Sequence, residues 1–441
     1  MLTPSGTPTD PFDVIGIGIG PFNLGLAALL QPLVDNGEIS ACFLDERDHF
    51  SWHPGMMLPG ATIQVPFMAD LVTLADPTSN YSFLAYLKAR HRIHQFYIRE
   101  SFYPLRSEYS DYCAWVADQL PTTRFSRHVT DVRRTAEGLW RIEAQGENSV
   151  LHARHVVMGV GTRPFIPEDL SHPDAAEGIL HSADYLTHRD AIEAAETVAV
   201  IGSGQSAAEI YRDLLDAPGE RRLDWFTRSP RFFPMEYTKL SLELTSPDYT
   251  RHFHSLPMST RDELNRRQRG LYKGISGDLV DDIYDTLYRL STREPVNTRL
   301  LADVSAAFTD APTTDGTTGR HHVELVHADT GERSVTSADV VILATGYRSP
   351  AIPDFLATGK EALRLDPLGR LDVGLEFECD DDATFFVLNA EEHTHALNAP
   401  DLGMGAWRNS IIIRRILGRE VYPVEDHIAF QSFGLGGADA C

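Results

Sequence analysis

Two short glycine-rich turns are the parts of this sequence best suited to chemistry. The first is "GIGPFN", residues 18–23, and the second is "GSGQSA", residues 202–207. Each follows an apolar run and precedes a helical pattern. Glycine lets the chain turn tightly and lets its backbone approach a pyrophosphate at the start of the following helix. The spacing therefore predicts two dinucleotide sites.

The first turn departs from the usual pattern because Asn23 replaces its third glycine. The next strand, "ACFLD", ends in Asp45, and an acid at that position can bind ribose hydroxyls. The second turn has Ala207 in the third place, and its own second strand ends in "FTRS" with Arg228. A cation there suits a 2′-phosphate, so NADPH is favoured over NADH.

Two such sites in one chain suit hydride transfer, because one can hold FAD and the other can present a nicotinamide to it. Disulfide reductases share this layout but need a redox cysteine pair. The four cysteines are far apart and form no CxxC motif; they are Cys42, Cys113, Cys379 and Cys441. Flavin reduction is therefore expected to be followed by reaction with oxygen or by electron transfer.

The strand predicted before each glycine turn and the helix predicted after it indicate an α/β fold. We expect two Rossmann-like dinucleotide-binding domains, for FAD and NADPH, plus a smaller, mostly helical substrate region. The predicted bounds are 12–165 and 345–435 for the FAD domain, 166–234 and 300–344 for the NADPH domain, 235–299 for the helical region, and 1–11 for a disordered leader.

Composition narrows the function classes. The 63 acidic residues outnumber the 39 Lys and Arg, giving a formal charge of −24, which argues against nucleic-acid binding and weakly favours a cationic substrate. No apolar run approaches the roughly 20 residues that span a bilayer. We expect a cytoplasmic protein without a membrane partner or a metal.

Several motifs occur in a fixed order along residues 12–435, and their combination is more specific than any one of them. They are "GIGPFNL", "FSWHPGM", "IQVPF", "DPTSNYSFLAYL", "GSGQSAAE", "LATGY" and "HTHALNAPDLGMGAWR". Together they are similar to the siderophore-associated N-hydroxylating monooxygenases that act on ornithine, lysine or diamines. The resemblance implies that NADPH reduces FAD, that oxygen forms a C4a-hydroperoxyflavin, and that this species hydroxylates a primary amine. It also implies a homo-oligomer, a dimer or tetramer.

The resemblance also implies roles for individual residues. Gln64 and Tyr347 are expected at the reacting centre. The expected FAD residues are Gly18, Gly20, Pro21, Asn23, Leu24, Asp45, Trp52, His53 and Gln64. The expected NADPH residues are Gly202, Gly204, Gln205, Ser206 and Arg228.

One alanine is the strongest indication of the substrate. Amino-acid hydroxylases of this family read roughly "QxxFLKDL" where this chain reads "QVPFMADL", so their lysine, which pairs with the substrate α-carboxylate, is Ala69 here. In an ungapped alignment, Leu242 and Leu271 also replace asparagines that bind the amino acid. Leucine offers no hydrogen bond, and an unpaired buried carboxylate is costly.

These replacements predict a substrate without a carboxylate, an aliphatic diamine. Cadaverine is favoured over putrescine because segments 76–92 and 404–415 resemble the lysine and cadaverine branch of the family. Its distal ammonium needs an acceptor, and the candidates are Glu243, Asn398 and Asp401. An alternative within the class is L-lysine N6-hydroxylation, with Arg348 or Arg408 replacing the missing lysine. An alternative of another class is an NADPH oxidase or flavin electron carrier without an organic substrate.

Overall fold

The structure is a computed structural model that describes residues 4–146, 149–171, 177–216, 221–236 and 238–435. Its strands are β1 Phe12–Ile17, β2 Ala41–Leu44, β3 Thr123–Arg124, β4 Val129–Arg134, β5 Trp140–Ala144, β6 Val150–Met158, β7 Arg163–Pro164, β8 Ile179–His181, β9 Thr197–Ile201, β10 Arg222–Phe226, β11 Thr298–Leu301, β12 Val304–Phe308, β13 His321–His327, β14 Arg333–Ala338, β15 Val340–Leu343, β16 Tyr347–Arg348 and β17 Phe385–Val387. Its α-helices are α1 Pro21–Asp35, α2 Phe83–Ala89, α3 Ile93–Arg99, α4 Arg106–Ala117, α5 Arg189–Glu193, α6 Gln205–Leu215, α7 Lys239–Leu242, α8 Pro247–Ser255, α9 Met258–Arg267, α10 Gly277–Ser291, α11 Glu392–His395 and α12 Gly405–Leu417.

The first sheet has β1 at its centre, between β2 and β6, and all three run parallel. Ile17 lies opposite both Leu44 and Met158, so the carboxyl ends of these strands share one edge. β3 extends the parallel part beyond β2, β17 pairs with the end of β6, and β4 and β5 add an antiparallel edge. Since strand ends of a parallel sheet meet, the turn after β1 and Asp45 after β2 are brought together.

The second sheet is entirely parallel, in the order β11-β10-β9-β15-β8. Ile201 at the end of β9 lies opposite Phe226 and Leu343, so this sheet also presents one edge of strand ends, where α6 begins. β12, β13 and β14 form a separate antiparallel sheet. The prediction of an α/β fold with two dinucleotide-binding sheets is confirmed.

The region 235–299 is helical but does not pack as one unit. α8 and α9 lie against α11, whereas α10 packs on α6, with Arg212 paired to Asp282 at 2.5 Å. Ile283 of α10 belongs to the apolar core beneath the second sheet, and β11 begins at Thr298, two residues before the predicted boundary. The C-terminal half of this region is therefore part of the NADPH-side core.

The prediction of a disordered leader is wrong for residues 5–10. The Asp10 carboxylate accepts the Ser5 N–H at 2.7 Å, and the Gly6 carbonyl accepts the His152 N–H at 2.8 Å. The leader is ordered there because Gly6 pairs with the start of β6, where that strand extends beyond its pairing with β1. Residues 1–3 lie outside the described part of the chain.

Three thiols are buried: Cys42, Cys113 and Cys379. Burial raises the pKa of Cys42 to about 11 and that of Cys379 to about 12, so these thiols are poor nucleophiles. Cys441 lies outside the described residues. Within the described ranges, no helix is both long and apolar enough to cross a bilayer.

Candidate active site between the two dinucleotide sheets

The turn after β1 needs glycine for a steric reason. Gly18 has a left-handed φ of 85°, and a Cβ there would stand 2.5 Å from the Gly159 carbonyl oxygen. Asn23, in place of the usual third glycine, donates its Nδ2 to the carbonyls of Ile17, Gly18 and Val157. The asparagine thereby fixes the shape of the turn.

Two of the predicted FAD residues are buried in the protein. Asn23 and Leu24 have no exposed surface, the Asn23 Oδ1 has no hydrogen-bond partner among the described residues, and the FAD role of both residues stays a prediction. Leu24 packs in the apolar core around α1. The motif "GPFNL" is thus partly a folding signal, because its last two residues hold the turn and the helix in place.

Asp45 lies beside this turn and is already organised. Its Oδ2 accepts the Ile19 N–H at 2.6 Å, and the Arg47 guanidinium binds both carboxylate oxygens at 2.8 Å. Burial opposes ionisation of Asp45, but the hydrogen bonds and charge of Arg47 outweigh it and lower the pKa. Sequence reasoning missed Arg47, although it stands only two residues beyond the strand-ending acid.

Two helices begin next to each other here. α1 starts after Gly20 with Pro21 in its first turn and no side-chain cap, so its first N–H groups remain free for an anion. α12 starts at Gly405, where a Cβ would come within 3.3 Å of the Phe22 ring. The convergence of two helix starts is a site feature that no motif indicated.

Gln64 supplies a further test of whether FAD fits. Its Nε2 is buried and has no hydrogen-bond partner among the described residues. A buried, unpartnered amide costs about 1–3 kcal/mol, so a bound group is expected to accept from it. With the open turn, the free helix start and Asp45, the residues present fit FAD.

Aromatic and imidazole rings from both domains meet in one cluster. His53, in a left-handed conformation with φ 48°, lies 5.2 Å from Trp52 and 5.5 Å from Tyr347 between ring centroids. Tyr347 also contacts His181, whose Nε2 lies 3.1 Å from the Gly346 carbonyl oxygen. The structure brings the predicted Trp52, His53 and Tyr347 together, and it adds His181 from β8.

His53 borders the space between the domains, where its side chain is exposed to solvent beside packed protein atoms. Desolvation by these atoms, with the positive charges of Arg106 and Arg47, lowers the pKa of His53 to about 4. The imidazole is therefore neutral near pH 7. A neutral ring can orient a polar group but does not supply a charge.

The second glycine turn is equally constrained. A Cβ on Gly202 would stand 2.2 Å from the Ala344 carbonyl oxygen, and α6 begins after Gly204 without a side-chain cap. The Gln205 side chain is hydrogen-bonded within the protein. Its Nε2 donates to Glu209 at 2.9 Å, and its Oε1 accepts the Ser276 N–H at 2.8 Å. Its side chain thus positions the cradle.

Two other predicted NADPH residues remain available to a ligand. Ser206 is partly exposed in the first turn of α6, and Arg228 is exposed beyond β10. Neither side chain makes a hydrogen bond or ion pair within the described part of the chain. Their roles stay predictions, and the uncapped helix start beside them fits the diphosphate of NADPH.

Arg106 connects the two sites, and sequence reasoning missed it. From the start of α4 it donates to both oxygens of Glu209 in α6, at 2.7 and 2.9 Å, and to the Met56 carbonyl at 2.8 Å. Nearby, a Cβ on Gly55 would overlap the Ala183 carbonyl oxygen at 1.8 Å, so the loops of the two domains are in direct contact. The flavin-side and NADPH-side elements are thus held across one cleft.

Among the predicted substrate residues, Ala69 and Asp401 are brought together. Ala69 is buried, and its Cβ lies 3.8 Å from the Cβ position of Gly403. The Asp401 Oδ1 accepts the Gly403 N–H at 2.6 Å. Burial raises the pKa of Asp401, with Arg408 and the Gly403 N–H opposing that shift.

The Glu243 carboxylate, predicted as an acceptor for the substrate ammonium, is held by the C-terminal segment. Its two oxygens accept the N–H groups of Phe430 and Gln431, at 2.9 and 3.0 Å. With a third bond from the Gln431 side-chain amide, they hold the C-terminal segment on α7 and occupy three of about four acceptor positions, so the ammonium-binding role of Glu243 stays a prediction.

Asn398 is fully buried and its Nδ2 donates to Thr250, but its Oδ1 has no partner among the described residues, so its role as an acceptor stays a prediction. Leu242 and Leu271 keep exposed surface and join none of the apolar clusters among the described residues. Exposed surface leaves both leucines accessible to a ligand, and their roles stay predictions.

Fold and site together define a flavoprotein with two dinucleotide sites and, among the residues that the structure describes, no redox cysteine pair. Residues 10–349 match the model of the L-lysine 6-monooxygenase/L-ornithine 5-monooxygenase family, and the chain belongs to this family. It is therefore a flavin-dependent N-monooxygenase that uses FAD and NADPH, as the sequence predicted.

Individual relatives span most of the chain. The putrescine N-hydroxylase of Shewanella oneidensis is 43% identical over 430 residues, which cover 96% of this chain and 84% of the relative. The FAD-bound cadaverine monooxygenase DfoA of the desferrioxamine pathway in Erwinia amylovora superposes with a TM-score of 0.91 at 41% identity, covering 96% and 98%. The Kutzneria ornithine N-hydroxylase with reduced FAD, NADP⁺ and L-ornithine gives a TM-score of 0.82 at 25% identity, covering 92% and 99%.

Proposed function

We propose that this protein uses NADPH and O₂ to hydroxylate one primary amine of an aliphatic α,ω-diamine, as a step in hydroxamate siderophore biosynthesis. The family assignment supports amine N-hydroxylation. The names of the similar proteins, a putrescine N-hydroxylase and a cadaverine monooxygenase, support a diamine.

Ala69 is the observation that carries the choice of substrate. It is buried at the position where the amino-acid hydroxylases, by the resemblance above, place a lysine for the substrate carboxylate. The two arginines that would replace that lysine are engaged elsewhere. Arg408 is fully buried and pairs with Glu391 at 2.7 Å, and Arg348 stacks 3.5 Å from the centre of the Phe165 ring.

Asp401 is the acid best placed to receive the distal ammonium of a diamine. Of the three candidates, it alone adjoins Ala69 through Gly403, and no side chain among the described residues donates a hydrogen bond to its carboxylate. A desolvated carboxylate gains from a cationic partner. In this protein the Asp401 carboxylate would lie near the position where the amino-acid hydroxylases, by the resemblance, bind the carboxylate of their substrate.

FAD, when bound, would accept the hydride of NADPH and supply oxygen activation. The protein orients the amine and excludes water. Gln64 has an unpartnered amide donor that can hold a cofactor oxygen, and neutral His53 packs against Tyr347. Arg106 keeps the two cofactor cradles at a constant separation through Glu209 and Met56.

A parallel assay tests the proposal. The FAD-loaded enzyme receives NADPH with cadaverine, putrescine, L-lysine or L-ornithine, and hydroxylamine product is measured beside peroxide. We expect product from the diamines, most from cadaverine, and little from the amino acids. Product chiefly from lysine would refute the argument from Ala69, and peroxide equal to NADPH consumed without product would favour the oxidase alternative.

Ala69→Lys with Ala69→Met as its control separates charge from volume, because the two side chains are similar in length. We expect the lysine variant to lose at least tenfold in kcat/KM for the diamine relative to the methionine variant, since its ammonium repels that of the substrate. Equal losses would show that position 69 acts only through packing.

A further inference from the structure

Residues 272–276 form a wall beside the NADPH-side helix start. The Lys273 carbonyl oxygen lies 3.6 Å from the Cβ position of Gly204, and the Ser276 N–H donates to Gln205 at 2.8 Å. Backbone hydrogen bonds join Ile275 to Phe233 and Met235, at 3.1 and 2.8 Å, and hold the wall in place. The backbone of Lys273 is therefore fixed beside the cradle formed by Gly202–Gly204 and α6, and its side chain is exposed to solvent.

Lys273 is a cation without a partner in this position. Its Nζ stands 4.7 Å from the centre of the Tyr272 ring, and no carboxylate oxygen of a described residue lies within 4 Å of it. The nearest acid, Glu392, accepts the Tyr272 hydroxyl instead. Arg269, which likewise has no ion pair or side-chain hydrogen bond among the described residues, adds a second positive charge.

The surroundings disfavour this charge in the absence of an anion. Desolvation by the protein around the side chain lowers the pKa of Lys273, Glu392 opposes the shift, and Arg269 adds to it. Lys273 and Arg269 are both exposed to solvent, so an anion that enters the cleft can reach either cation.

We propose that Lys273 is a ligand of the diphosphate of NADPH and completes the anion cradle at the start of α6. The uncapped N–H groups after Gly204 supply partial positive charge, and Lys273 adds a full one from the opposite wall. The inference rests on the NADPH site of the family and is independent of which amine is hydroxylated.

Equilibrium binding tests this role without turnover. NADP⁺ and NAD⁺ are each titrated into the FAD-loaded enzyme by calorimetry, for the wild type, Lys273→Met, Lys273→Gln and Lys273→Arg. Lys360→Met serves as the matched control, because Lys360 is exposed on a distant 3₁₀ turn. FAD content and melting temperature are measured for every variant.

We expect Lys273→Met and Lys273→Gln to weaken both dinucleotides about tenfold, the loss of one charge-assisted hydrogen bond. Lys273→Arg should recover most of the affinity, and Lys360→Met should match the wild type. The salt dependence of NADP⁺ binding should also decrease in Lys273→Met.

Unchanged affinity for both dinucleotides in Lys273→Met and Lys273→Gln would overturn the proposal. A loss confined to NADP⁺ would overturn it as well, since it would assign Lys273 to the 2′-phosphate. A failure of the diamine assay, with tenfold weaker dinucleotide binding in Lys273→Met, would leave this inference standing and reject only the proposed substrate.

Discussion

Replacing Arg408 by methionine is expected to destabilise the flavin-side domain more than replacing its partner Glu391 by glutamine. Both side chains have no exposed surface, and they are joined at 2.7 Å. The guanidinium also donates to the Ala399 carbonyl at 2.7 Å and lies 4.1 Å from the centre of the Phe22 ring. Arg408 thus ties α12 to the segment before it and to the first turn of α1.

The asymmetry follows from the number of buried charges that each change leaves unpaired. Without Arg408, the Glu391 and Asp401 carboxylates lose their shared cation, and removing one partner of a buried pair costs about 3–5 kcal/mol. In Glu391→Gln, Arg408 is still attracted by the charge of Asp401 and still donates hydrogen bonds to two backbone carbonyls. One charge-assisted bond is lost, worth about 2 kcal/mol.

The pH dependence of the Arg408→Met defect follows from Glu391. Burial raises the pKa of Glu391, and Arg408 opposes this. Without the arginine, the folded state holds the proton to a higher pH than the unfolded state, whose pKa is near 4.5. Stability of the variant should therefore fall as pH rises above 4.5, until the folded pKa is passed.

Melting temperatures of FAD-loaded wild type, both single variants and the double variant test the prediction. We expect Arg408→Met to lower Tm by about 10 °C and Glu391→Gln by roughly half as much. The double variant should be more stable than the sum of the two losses implies, since Glu391→Gln removes the carboxylate that Arg408→Met leaves unpaired. Equal single losses, or strictly additive losses, would refute the view that uncompensated charge sets the cost.

Three further outcomes are expected. Gln64→Leu should lower Tm of the FAD-loaded protein but not of the apoprotein, because the Gln64 amide lacks a protein partner; equal losses in both forms would contradict this. Glu243→Gln should change the diamine KM by less than about twofold, because the carboxylate binds Phe430 and Gln431; a tenfold rise would restore Glu243 as the ammonium acceptor. His53 should show no ionisation near pH 6.5 in an NMR titration, and acidification from pH 6.5 towards 4 should destabilise the fold, since the unfolded state binds the proton first. His53→Gln should flatten that loss, and an unchanged slope would contradict the lowered pKa.

The sequence by itself determined the two dinucleotide sheets, their order, the cofactors and the reaction class. These follow from local signals, since strand, glycine turn and helix are contiguous, and the steric demand at Gly18 acts within one turn. Ala69 could also be interpreted locally, because its motif neighbours set the alignment. The disordered leader was mispredicted because its order comes from β6, far along the chain.

Only the tertiary structure decided which polar groups are free. Arg106 and Glu209 are 103 residues apart, and Glu243 and Phe430 are 187 apart, so no local pattern shows that either acid is already bound. The same holds for Arg408, whose burial removes it as a carboxylate ligand, and for Lys273, whose lack of an acid is visible only in the folded cleft. Charge and hydrogen-bond satisfaction depend on every group that packs nearby, and long-range packing places those groups.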